Sequence, residues 1–210
     1  MGPGGFRQSL GIPSSLYDWR ENSCLRETGE NSTVSAKPGG KMRGELEQPL
    51  YGIDSNVFLA VTIPESTRAG KKEVEGSERL LSALHDGLIR GVTSSIIFAG
   101  LRWVFNRERK GGFPIVQATL QETLRGKLQI VDVDPHLAIL GADYRSRYYS
   151  RTNQFSYHDG LILATAVVHQ ASVLVSTDPH LLKVTELEGI EVIAPSAFHS
   201  SVDTPVLSGQ

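Results

Sequence analysis

The chain has 210 residues, 40% hydrophobic and 21% charged, which is room for one globular domain with a core, or one domain plus a tail. Its 21 Lys and Arg against 23 Asp and Glu leave a formal charge of -2, so any nucleic-acid site has to be a local patch rather than a consequence of net charge. The single cysteine, Cys24, excludes a disulfide framework and a multi-cysteine metal site. No apolar run nears the roughly 20 residues of a membrane span, and the N-terminus has no basic segment leading into an apolar core. These features predict a soluble, cytoplasmic protein with no membrane partner.

Residues 1–48 show no sustained period of 2 or 3.6 and carry repeated turn formers, among them Gly4-Gly5, Pro13-Ser14-Ser15 and Lys37-Pro38-Gly39-Gly40. Their scattered apolars, such as Phe6, Leu16 and Trp19, cannot bury enough surface to offset ordering the segment. A disordered N-terminal extension is expected, with Met42 as an alternative start just before the pattern begins. The run 50–54 then reads as a short buried strand ending in Asp54, and Ser55-Asn56 as the cap of a helix through Val61. Leu80, Leu81, Leu84, Leu88 and Ile89 predict a helix over 78–90, stopped by Gly91. A strand over 92–95 hands over to a helix carrying Ile96, Ile97, Leu101, Val104 and Phe105. A helix over 114–125 precedes a strand over 128–133, and Pro135 opens a helix running to about residue 149. The apolar stretch 161–168 behind Asp159 predicts a buried helix, and strands follow at 171–176 and 190–193. Short strands alternating with helices predict an α/β fold, a three-layer α/β/α sandwich with a short-stranded parallel sheet, over residues 49–195, with a C-terminal tail at 196–210.

Three carboxylates fall where ligands collect in such sheets, at carboxyl ends of strands beside helix N-termini: Asp54, Asp159 and Asp178. Each taken singly is accounted for as a helix cap. Together at one sheet edge they repel one another, and hard oxygen donors suit Mg²⁺ or Mn²⁺, ions that activate water and stabilise charge on a phosphodiester. Spacing alone does not show that the three converge.

The segments Ile53-Asp54-Ser55-Asn56-Val57, Thr93-Ser94-Ser95-Ile96-Ile97-Phe98-Ala99, Asp159-Gly160-Leu161-Ile162-Leu163-Ala164-Thr165-Ala166 and Leu174-Val175-Ser176-Thr177-Asp178 resemble the PIN domain, above all the ribonuclease toxins of VapC type, over residues 50–195. The resemblance implies a Mg²⁺- or Mn²⁺-dependent endoribonuclease acting on RNA, with a small antitoxin as partner and homodimers as a common state. It implies metal-binding and catalytic roles for Asp54, Asp159 and Asp178, and supporting roles for Asn56, Ser94 and Ser176. One position departs from the pattern: six residues after Ser94, where the family usually has a glutamate, stands Gly100. Glu108, eight residues further on and about 12 Å along a helix, is a poor substitute. Either three aspartates and water hold the metal, or the domain is a catalytically impaired PIN-like module that binds RNA or protein. Gly160 also stands where the resembling proteins more often have alanine.

His158 and His180, next to Asp159 and Asp178, read as surface or capping groups, since metal chemistry requires no histidine. Arg145, Arg147 and Arg151, interleaved with Tyr148 and Tyr149, form the best basic patch for RNA, against the alternative of a solvated helix end. Arg107 to Lys110 reads as a solvated helix end, and Trp103 as core with an exposed part suited to a dimer contact. A response-regulator phosphoacceptor is disfavoured because no acidic pair follows the first strand.

Overall fold

The computed structural model describes residues 48–199, apart from 68 and 185. The expected extension over 1–48, all but its last residue, and residues 200–210 of the expected tail lie outside the described residues. The elements run β1 (Leu50–Ile53), α1 (Ser55–Thr62), α2 (Lys71–His85), β2 (Arg90–Ser94), α3 (Ile97–Arg107), α4 (Phe113–Ala118), β3 (Leu128–Val131), α5 (Pro135–Tyr148), α6 (Tyr157–Val168), β4 (Val173–Val175), α7 (Pro179–Leu182), β5 (Glu186–Leu187) and β6 (Ile190–Ile193). The strand order is β3-β2-β1-β4-β6-β5. All neighbours are parallel except the two-residue edge strand β5, which turns back antiparallel on β6. Helices cover both faces, so the expected α/β/α sandwich is the fold.

β1 lies at the centre, between β2, which follows it in sequence, and β4, which arrives much later. The chain therefore changes direction across the sheet at the β1–β4 junction, and such a switch leaves a crevice at the carboxyl ends of the strands. Asp54 leaves β1 there, and Ser176 and Asp178 leave β4. The core is continuous: Ile53, Phe58, Leu80, Leu84, Ile97, Leu101, Leu163 and Leu174 are essentially inaccessible.

Several boundaries differ from expectation for physical reasons. The second helix covers 71–85 rather than 78–90. It ends in a Schellman turn, with Leu88 N donating to the Ala83 carbonyl at 2.9 Å, Gly87 N to that of Leu84 at 3.1 Å, and Gly87 at φ +72°. Leu88 and Ile89 thus belong to a turn leading into β2, and Gly91 lies within the strand. The first two turns of α2 have no apolar period. They are fixed by tertiary contact instead: Glu73 accepts from Ser196 N at 3.1 Å and Ser196 Oγ at 2.6 Å, and Gly76 lies against the Pro195 carbonyl. Ordered packing consequently continues past residue 195. A 3₁₀ turn spans Pro195–Ala197, and the buried Phe198 ring meets Tyr51 edge-on at 5.6 Å. β3 stops at Val131, whose partner Ser94 is the last residue of β2.

α5 and α6 cross at a pair of glycines. A Cβ on Gly160 would lie 2.2 Å from the Gly141 carbonyl oxygen, so glycine at 160 is required by the packing of the two helices.

Candidate active site

Asp54 is 1% exposed and occupies the N-cap position of α1, yet its side chain makes no capping bond. The carboxylate faces other groups. Ser55 Oγ donates to Oδ1 at 3.1 Å, while Ser176 Oγ at 2.6 Å and Asn56 Nδ2 at 3.2 Å donate to Oδ2. Ser55 is the first helical residue rather than the cap expected of it. The Ser176 hydroxyl also accepts from Asp178 N at 2.9 Å, so one buried side chain ties the end of β1 to the loop after β4.

The other two aspartates do cap helices. Asp159 is the third residue of α6 and completes a capping box: Ser156 N donates to its Oδ2 at 2.7 Å, and its own N–H donates to Ser156 Oγ at 3.1 Å. Asp178 caps α7, accepting from His180 N at 2.6 Å. The cap reading therefore fails for Asp54 and holds for Asp159 and Asp178, without exhausting them. The three sit close enough to feel one another's charge. Burial first, then the charges of Asp54 and Asp178, push the Asp159 carboxyl up to about 7 against the bonds from Ser156. Burial, with Asp178 adding to it, also raises Asp54, against Ser176, His158 and Ser55. Neither carboxylate is ion-paired among the described residues.

Two buried, mutually repelling carboxylates with no lysine or arginine paired to them among the described residues, and with His158 as the nearby basic group, are a donor set suited to a hard divalent cation. No three His, Cys, Asp or Glu groups among the described residues form a ready-made cluster, so a cation held here would keep water among its ligands. Of the supporting residues expected, Ser176 and Asn56 bond Asp54 directly. Ser94 is buried at the end of β2 and accepts from Ile96 N at 3.4 Å, which turns the chain into α3. Ser55 joins Ser176 and Asn56 at Asp54, and its position directly after the strand-ending aspartate is the sequence signal for this role.

This sheet order, with acidic residues gathered at the β1–β4 crevice, accompanies a match of residues 51–187 to the PIN domain family. The chain belongs to the PIN domain family. PIN domains are generally nucleases. No curated protein sequence matches the chain. Solved structures similar to it include FitAcB from Neisseria gonorrhoeae, at 20% identity and TM-score 0.47 over 71% of this chain and 99% of that one. VapBC2 from Rickettsia felis bound to a promoter DNA fragment is similar at 17% and 0.46 over 69% and 97%. A toxin–antitoxin complex from Klebsiella pneumoniae is similar at 16% and 0.44 over 70% and 98%.

At Gly100, where the resemblance implies a glutamate, the nearest side chain is that of His158. A Cβ on Gly100 would lie 3.0 Å from Cε1 and 3.4 Å from Nε2 of His158, and 3.7 Å from Ser55 Oγ. The His158 imidazole stands over the glycine, with Nε2 3.5 Å from the Ser55 hydroxyl that serves Asp54. His158, read from sequence as a surface or capping group, thus adjoins the acidic site, and Gly100 makes room for it.

The expected basic patch lies at the end of α5. Arg147 is paired with Glu188 and lies over the rings of Tyr144 and Tyr148, and Arg145 lies over Tyr149 at 5.2 Å. Arg151 is exposed in the following turn, which reaches α7 through Asn153 Oδ1 and His180 Nδ1 at 3.0 Å. No helix among the described residues is long and apolar enough to cross a membrane.

Proposed function

We propose that this PIN domain is a metal-dependent endoribonuclease that hydrolyses RNA phosphodiester bonds, and that it works as a toxin held in check by a small antitoxin protein. The observation that carries the reading is Asp54: a fully buried carboxylate that declines to cap its own helix and is held by Ser55, Asn56 and Ser176 beside Asp159 and Asp178. Asp54 and Asp159, with Asp178 flanking, would hold a Mg²⁺ or Mn²⁺ ion. Such an ion, when bound, neutralises phosphodiester charge and lowers the pKa of water.

The chain's own residues do the rest. Ser176 bridges the Asp54 carboxylate and the Asp178 backbone N–H, which holds the loop that carries Asp178 beside the end of β1. The capping box locks the Asp159 backbone and one of its oxygens against α6. Asp54 and Asp159 are buried, which strengthens their charge interactions, while Asp178 borders the cleft open to solvent.

The test is cleavage of single-stranded RNA, with DNA in parallel, by the wild type and by Asp159→Asn, in Mg²⁺, Mn²⁺ or EDTA. Metal-dependent RNA cleavage that falls at least a hundredfold in Asp159→Asn is the expected result. Cleavage indifferent to EDTA and to the substitution defeats the mechanism. The lack of a preformed three-ligand cluster favours a second reading, a module that binds RNA or protein without cutting. An inert wild type that still binds RNA selects it.

A further inference from the structure

A cleft of about 320 Å³, open to solvent, leads away from the acidic site, and its size is at the small end of small-ligand sites. One end is Asn56 and Asp178, already part of the candidate site; His180 continues that wall, Leu59 contributes to its floor, and Trp103 and Arg107 of α3 line it as well. Trp103 is 61% exposed, so its indole is open to a partner arriving from solvent. The Arg107 guanidinium lies over that ring, 4.6 Å from its centre, while Glu108 holds only its Nε at 2.7 Å. An indole backed by a cation, beside amide, hydroxyl and imidazole groups, is the lining that receives a flat heteroaromatic ring carried on a phosphate chain.

We infer that the Trp103–Arg107 cleft is a nucleobase subsite of the same site, in which a base of single-stranded RNA stacks on Trp103 while a neighbouring phosphate is held to Asp54, Asp159 and Asp178 through the divalent cation they would bind. The inference rests on the nuclease reading, because the cleft matters to RNA only if the strand runs through the carboxylates. It favours RNA over an apolar protein segment because the apolar floor is limited and the walls are polar. It also places the first base contacts on α3 rather than at Arg147, which is engaged with Glu188.

The experiment uses the full chain carrying Trp19→Phe, so that Trp103 is the remaining one of the 2 tryptophans. Indole fluorescence and the anisotropy of a labelled single-stranded RNA are read in Ca²⁺, a hard cation that can bridge carboxylate and phosphate, after a control showing that it does not support cleavage. Stacking predicts strong quenching by single-stranded RNA and little by the matching duplex. Trp103→Ala should weaken binding roughly tenfold to a hundredfold, with Trp103→Phe retaining most of it. In Mg²⁺ the loss should fall mainly on KM. The side chain is exposed, so thermal stability should not change.

Unchanged RNA affinity in Trp103→Ala, with cleavage still abolished by Asp159→Asn, overturns the subsite and leaves the nuclease standing. A Trp103→Ala effect on oligomeric state or on a bound protein, with RNA affinity unchanged, assigns the cleft to a protein and likewise overturns it. A wild type that neither binds nor cuts RNA removes the nuclease reading and this inference together.

Discussion

Gly100 and His158 are best understood as one feature. The imidazole lies over the glycine at a distance that leaves no slack, 3.0 Å from the position of a Cβ, so a side chain at 100 can be added only if the ring moves. Gly100→Glu should therefore lower the melting temperature of the metal-free protein modestly, a loss of about 1 kcal/mol, since the half-buried ring must give by a few tenths of an ångström. His158→Ala in the same chain should recover most of that loss. Thermal denaturation of the four proteins of this cycle measures the coupling, and additive effects would show that the two residues are independent. Asp54, Asp159 and Asp178 were legible as residues because each ends a strand or opens a helix. Their separate behaviour was not, since whether a carboxylate caps its helix or faces a neighbour depends on hydroxyls such as Ser176, 122 positions away from Asp54.

At the scale of elements, β1, α1, α3, α6 and β6, with a steep apolar pattern, fell close to where their sequences put them, as did α5, marked by Pro135 in its first turn. α2 did not, because its first turns are polar and are fixed by Pro195 and Ser196 rather than by periodicity. The α5–α6 crossing makes a similar point. Gly160 looks like a weak helix residue, but the Gly141 carbonyl of the neighbouring helix occupies the space a methyl would need. Gly160→Ala, a substitution that ordinarily favours a helix by up to about 1 kcal/mol, should here destabilise by about 3 kcal/mol. Chemical denaturation reads the sign directly, and a stabilised variant would mean that the helices separate at little cost.

For the whole molecule, the buried carboxylates tie stability to pH. Asp159 titrates near 7 in the folded protein against a usual value of 3.8, so folding favours its protonated form. The stability this contributes is complete below the unfolded value and is lost as pH rises through the folded one. Asp54, raised in the same direction, adds to the effect. The metal-free protein should accordingly melt at a lower temperature at pH 8 than at pH 5, and Asp159→Asn should shrink the difference. Mg²⁺ or Mn²⁺ at pH 8 should restore the wild type and not the variant, since an ion bound only by the folded state stabilises it by mass action. A wild-type curve that matches the variant across this range would show that the carboxylate is not strained by its surroundings.

By itself the sequence determined the α/β alternation, the resemblance to PIN domains and the aspartates placed at strand ends, because those follow from hydrophobic period and local turn chemistry. The tertiary structure decided which aspartate is free of its helix, what stands beside Gly100, and that the chain past residue 195 packs through Phe198 onto Tyr51. Each of these depends on groups brought together from distant parts of the chain. Local pattern carries no record of such encounters; the order of strands across the sheet does.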